Sequence, residues 1–144
     1  MPATLQKILQ KIKTDSTVIE LQGLSGSSKA LVVSMLSQIP EQPVEKIKPL
    51  VVVCESFDVA EVLLNNLYYF FGKEGVHFFP FWDVLPFDNF SPHKGLVAQR
   101  FKTLDALLNS EVRVLITTPN GMMQRFLPRA TFQKNTLSMS TDFV

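Results

Sequence analysis

The stretch Gly23-Leu24-Ser25-Gly26-Ser27-Ser28-Lys29-Ala30 is where residue types and spacing point to chemistry. It approximates the pattern G-x-x-x-x-G-K-[ST] of a phosphate-binding loop set between a strand and a helix. In such a loop the glycines let backbone N–H groups wrap the phosphates, the lysine reaches the β/γ oxygens, and the hydroxyl binds Mg²⁺. Gly23 and Lys29 hold the required spacing. Ser28 stands where the pattern has glycine, and its Cβ restricts the backbone there. Ala30 stands where the pattern has Ser or Thr, so the Mg²⁺ ligand is missing, and with it much of the electrostatics of phosphoryl transfer. A second Mg²⁺ ligand would be an acidic residue ending an apolar strand, but Val112–Ile116 runs into Thr117-Thr118-Pro119. Hydrolysis by this chain is not expected. Gly23, Gly26, Ser27, Ser28, Lys29 and Ala30 read as a vestigial phosphate loop that can still hold a phosphate or sulfate weakly at a helix N-terminus. They read equally well as a plain Gly-Ser connection ahead of a helix.

The elements that would position this loop follow from hydrophobic periodicity. Leu5, Ile8, Leu9 and Ile12 recur at helical spacing and predict an amphipathic helix. Thr17–Gln22 predicts a strand, and Val32, Met35, Leu36 and Ile39 a helix that stops before Pro40. Leu50–Cys54 is a continuous apolar run, the pattern of a strand covered on both faces. Val59, Leu63, Leu67, Phe70 and Phe71 predict a helix closed by Gly72, and Val76–Phe79 another strand. Val97, Phe101, Leu104 and Leu108 predict a helix laid on the core, and Val112–Thr117 the last strand. Thr118 and Pro119 predict an N-cap and first helical position, with the helix running to about Phe126. From Arg129 the sequence turns polar and aperiodic. The fold class expected is α/β: a parallel sheet of about four strands with helices on both faces. Four strands are few for a doubly wound domain, so the chain is read as one module of a longer protein.

The bulk numbers agree with one ordinary domain. A length of 144 residues supports one core. The 46% apolar and 19% charged residues are ordinary for a globular protein and argue against disorder. Fourteen basic and 13 acidic residues leave a net charge of +1, which announces no nucleic-acid partner. Cys54, the single cysteine, rules out an internal disulfide and reads as a small core hydrophobe. No signal peptide and no membrane-spanning run is visible, so a cytoplasmic location and no membrane partner are expected.

Other candidates carry less. The segment Phe78–His93 is rich in aromatics but has no Arg or Lys, which argues against a base-stacking platform and for a loop packed by its own rings. Lys94, Arg100, Lys102 and Arg113 read as solvated faces, and Met122 and Met123 as core filling. His77 and His93 lack partners at metal-ligand spacing, so no metal site is expected. Ser25, Ser27 and Ser28 have no base to activate them.

The loop at Gly23–Ala30, the run Phe79-Pro80-Phe81-Trp82-Asp83-Val84-Leu85-Pro86-Phe87-Asp88, and Ser91-Pro92-His93 together resemble the N-terminal region of the bacterial transcription-repair coupling factors, Mfd. Val97–Leu104 with Arg100, Leu115–Pro119, and Gln124–Arg129 fit the same pattern, so the resemblance covers most of Leu21 to Arg129. It implies a RecA/UvrB-like lobe with a degenerate nucleotide site over residues 1–131. It also implies the start of an inserted domain or linker at 132–144. The implied role is a non-catalytic scaffold that assists recruitment of the damage-recognition protein UvrA, chiefly through the adjacent inserted domain. In that reading this chain has no cofactor and no catalytic residue. ATP and Mg²⁺ serve a motor further along the polypeptide, a DNA translocase that displaces stalled RNA polymerase, and other domains of the same polypeptide are partners. Two other readings are a small nucleotide-binding NTPase or kinase-like enzyme with an atypical loop, and a lobe contacting DNA phosphates through Lys29 and the Thr118–Pro119 helix start.

Overall fold

The computed structural model describes residues 18–37, 48–84 and 87–136. In chain order the elements are α1 (Ser28–Ser37), β1 (Leu50–Val53), α2 (Phe57–Phe71), β2 (Val76–Phe79), α3 (Lys94–Leu108), β3 (Val114–Thr117), α4 (Pro119–Met123) and α5 (Arg129–Asn135). The predicted amphipathic segment Leu5–Ile12 lies outside the described residues, as do Thr17, Ile39 and 137–144.

The strands form a three-stranded parallel sheet in the order β1-β3-β2. Leu50 pairs with Val114 and Val52 with Ile116, while Val76 and Phe78 pair with the same two residues from the other side. These six therefore share one face, because alternate residues of a strand point the same way. Against that face α1 and α2 set Ala30, Ala60, Leu63 and Leu67, and with Cys54 they make the core. The other face carries α3, packed over β2. The predicted α/β architecture, a parallel sheet with helices on both faces, is what the chain adopts. No helix among the described residues is long and apolar enough to cross a membrane.

Three expectations about the strands need correction. The predicted strand at Thr17–Gln22 is absent from residues 18–22, which pair with no neighbour. Their period-two pattern survives as Ile19 and Leu21 half-buried between exposed Val18, Glu20 and Gln22. A strand is defined by its ladder, and an extended segment without a partner is not one. The run Leu50–Cys54 is not covered on both faces: Val51 is 46% and Val53 50% exposed. Among the described residues β1 stands at the edge of the sheet, and α3 packs chiefly over β2 on the second face. The last strand begins at Val114, because the N–H groups of Arg113 and Val114 are both turned to the Gly75 carbonyl.

Local chemistry sets the helix ends. Ser56 accepts from the Val59 N–H at 3.3 Å and starts α2. Gly72, at φ 72°, closes α2 by donating to the Tyr68 carbonyl at 2.9 Å. His93 starts α3 with Nδ1 accepting from the Gly95 N–H. Thr118 Oγ1 accepts from the Gly121 N–H, with Pro119 at the first position of α4, as predicted. That helix ends at Met123 rather than near Phe126.

Helix α3 is turned from its predicted register. Its buried residues are Arg100, Thr103 and Ala106, while Phe101 is 42% exposed and Val97, Leu104 and Leu108 are half-buried. Thr103 Oγ1 donates to the Phe78 carbonyl at 3.2 Å, and Arg100 reaches the Pro80 carbonyl. Phe101 serves a second contact, stacking on Phe132 of α5 at 5.7 Å and 19°. Within the stretch read as aperiodic, Arg129–Asn135 is thus a helix whose one buried residue is the Phe132 ring.

Candidate functional site

Of the six residues of the predicted phosphate loop, Gly23, Gly26 and Ser27 precede α1, and Ser28, Lys29 and Ala30 open it. Gly23 and Gly26 take φ of 79° and 53°, and nothing lies within 4 Å of where a Cβ would stand at either. Glycine is therefore required by the left-handed backbone and not by crowding. Ser28 directs both its donors at one acceptor, the Ser25 carbonyl: Oγ at 2.6 Å and the backbone N–H at 3.1 Å. The turn closes on itself there, using an N–H that a phosphate loop would offer outward. Ser27 Oγ donates to Asn66 Oδ1 of α2 at 3.4 Å.

The other two positions point in different directions. Lys29 is exposed, and it lies near enough to Cys54 to pull that thiol down. Burial outweighs it and raises the Cys54 thiol, the behaviour of the core hydrophobe expected there. Ala30 has no exposed surface and belongs to the core with Ala60 and Leu63. The position that would carry a Mg²⁺-binding hydroxyl thus faces the interior. The strand expected to lead into the loop is not formed in 18–22.

At the carboxyl ends of β2 and β3 stands a constellation that sequence reasoning misplaced. Arg100, expected on a solvated face, is 2% exposed. Its guanidinium carbon lies 4.1 Å from the Phe79 ring centroid and 4.4 Å from that of Trp82, so two aromatic faces enclose it. Nη1 donates to the Pro80 carbonyl at 2.5 Å and to Gln124 Oε1 at 3.2 Å. The same Gln124 oxygen accepts from the Trp82 N–H at 2.7 Å. Burial pushes Arg100 below its ordinary range, and the rings and the two acceptors of Nη1 replace part of the water it has lost. The signal in the sequence was the set Phe79, Trp82, Arg100 and Gln124, each present in the motifs that carried the resemblance but separated along the chain.

The remaining candidates sort by position. Lys94, Lys102 and Arg113 are exposed, as expected. Met122 and Met123, expected in the core, are 55% and 83% exposed. Gly121 takes the inward place on α4, since a Cβ there would stand 2.6 Å from Thr117 Oγ1 and 3.1 Å from the Phe79 carbonyl oxygen. The aromatic segment packs only in its first half: Phe78, Phe79 and Pro80 are buried, whereas Phe87 is 97% and Phe90 79% exposed. A loop packed by all its own rings is therefore not what forms. His77 and His93 join no cluster of metal ligands, and no group of three such residues exists among the described residues.

Similarity to known proteins points one way. The transcription-repair-coupling factor of Haemophilus influenzae is 30% identical over 102 residues, 71% of this chain and 9% of that protein. That of Rickettsia prowazekii is 30% identical over 78 residues, and that of Escherichia coli 38% over 58, covering 7% and 5% of those proteins. The chain is related to the transcription-repair-coupling factors. The resemblance read from the Gly23–Ala30, Trp82 and Ser91-Pro92-His93 motifs is thereby borne out. The chain spans less than a tenth of the length of these relatives. No family model matches it.

Proposed function

We propose that this chain is a module of a transcription-coupled repair factor, a UvrB-like scaffold that binds and positions and does not turn over nucleotide. The observation that carries the second half is Ala30. A Mg²⁺–nucleotide needs a hydroxyl at this position, and the residue is an alanine sealed in the core. The Ser28 N–H, already given to Ser25, supports the same reading. The residues present do not fit the metal–nucleotide pair, so no catalytic step is routed through this loop. The first half rests on the relatives, each named a transcription-repair-coupling factor.

In this proposal the whole polypeptide is an ATP-dependent DNA translocase acting on stalled RNA polymerase, with ATP and Mg²⁺ bound by a motor outside this chain. UvrA is recruited with help from a domain inserted after it. Titration calorimetry with Mg-ATP tests the silent loop: no saturable heat and no phosphate release are expected from this chain. Micromolar binding with turnover would overturn the scaffold reading in favour of a small NTPase. Affinity capture with purified UvrA tests the partner. A longer chain carrying the inserted domain is expected to retain UvrA, and equal failure of both chains would remove that role.

A further inference from the structure

The guanidinium of Arg100 is incompletely satisfied. Nη1 has two acceptors, but Nη2 is buried and has no hydrogen-bond partner, the one such side-chain atom among the described residues. Buried charged donors without an acceptor are costly, and each one calls for an explanation. Arg100 also floors a groove of about 320 Å³ between α3 and the turn that follows α4. Trp82, Phe101, Leu104 and Phe126 wall this groove, and the exposed Arg125 stands at its rim. Two cations and no carboxylate line it. An occupant must therefore bring an anion for the floor and hydrocarbon for the walls.

We propose that this groove takes up a carboxylate-bearing apolar segment of a partner protein. The carboxylate of an Asp or Glu side chain, or of a chain terminus, would bridge Arg100 Nη2 and Arg125, and a neighbouring aromatic or leucine side chain would lie along Phe126. Planar guanidinium and carboxylate match geometrically, and a hydrogen bond between ions in an apolar setting is among the strongest available. Nη2 has no solvent contact, so a side chain lining the groove must move for a carboxylate to reach it. Nucleic acid fits less well. A phosphate backbone calls for cations strung along its track, and this groove holds only two. The proposal stands on Arg100 and is independent of the silent phosphate loop.

The test uses the whole chain, ¹⁵N-labelled, titrated with 3-phenylpropionate and with its neutral amide. The acid is expected to shift the Trp82 indole N–H and the Gln124 and Arg125 amides saturably, with Kd in the low millimolar range for so small a probe. The amide is expected to bind at least about fivefold more weakly, since it lacks the charge-assisted pair. Arg125→Ala, at an exposed position that folding tolerates, should weaken the acid about threefold to tenfold and leave the amide unchanged. Equal binding of acid and amide, absence of saturation, or shifts centred on Ser28 and Lys29 would each overturn the proposal. So would a short oligothymidylate that moves the same resonances at lower concentration than the acid.

Discussion

Arg100 and Gln124 meet at the carboxyl ends of the strands, where Nη1 donates to Oε1 at 3.2 Å, and that oxygen also accepts the Trp82 N–H at 2.7 Å. One amide oxygen thus fixes a buried cation and the start of the aromatic loop together. Gln124→Ala leaves both donors short of an acceptor, one of them charged. Unfolding in urea should show a loss of about 1–3 kcal/mol. A loss below about 0.5 kcal/mol would mean that water replaces the amide without cost.

Restoring the phosphate-loop pattern should fail. Ala30→Thr places a hydroxyl and a methyl among Ala60, Leu63 and Cys54, where Ala30 has no exposed surface. Overpacking with a buried hydroxyl is expected to destabilise the fold by about 1–3 kcal/mol. Combined with Ser28→Gly, it is expected to create neither Mg-ATP binding nor phosphate release. Nucleotide turnover by the double variant would show that the loop opens toward solvent.

Gly121 predicts a coupled pair. Gly121→Ala sets a Cβ against Thr117 Oγ1, and the expected cost is about 1–3 kcal/mol. Thr117→Ala removes that oxygen and its hydrogen bond to the Phe79 carbonyl. In the Thr117→Ala background, Gly121→Ala should cost measurably less than alone, which a double-mutant cycle reads as a non-additive term. Strict additivity would place the crowding elsewhere.

His77 makes stability depend on pH. Burial, and then Lys102, lower its pKa from the ordinary 6.5, with Glu111 acting in the opposite sense. The unfolded chain therefore binds more protons than the folded one below that value, and stability rises with pH across the window. The contribution is complete above about pH 6.5 and is lost as pH falls through the lower folded value. His77→Gln should flatten this step in a series of urea melts. An unchanged slope would assign the step to other groups.

Much of the fold was legible along the chain. Val76–Phe79 and the run ending at Thr117 read as strands because β-branched and aromatic residues dominate them, with only His77 and Arg113 intervening. The α2 stripe of Leu63 and Leu67 and its Gly72 terminus were equally plain. Gly23 and Gly26 take positive φ, which is a local property of the backbone.

Arg100 and the methionines were not legible in this way. A basic residue in a helix reads as solvated unless the two rings and two carbonyl-type oxygens that enclose it are known, and these come from residues 79–82 and 124. Met122 and Met123 read as core until Gly121 is seen to occupy the only inward place on α4. Residues 18–22 carry a strand's alternation, yet no ladder neighbour meets them. Periodicity, caps and positive-φ glycines act within a few residues and so can be read from order alone. Burial of a charge, the facing of a helix and membership of a sheet depend on atoms tens of residues away, and only the folded chain brings those together.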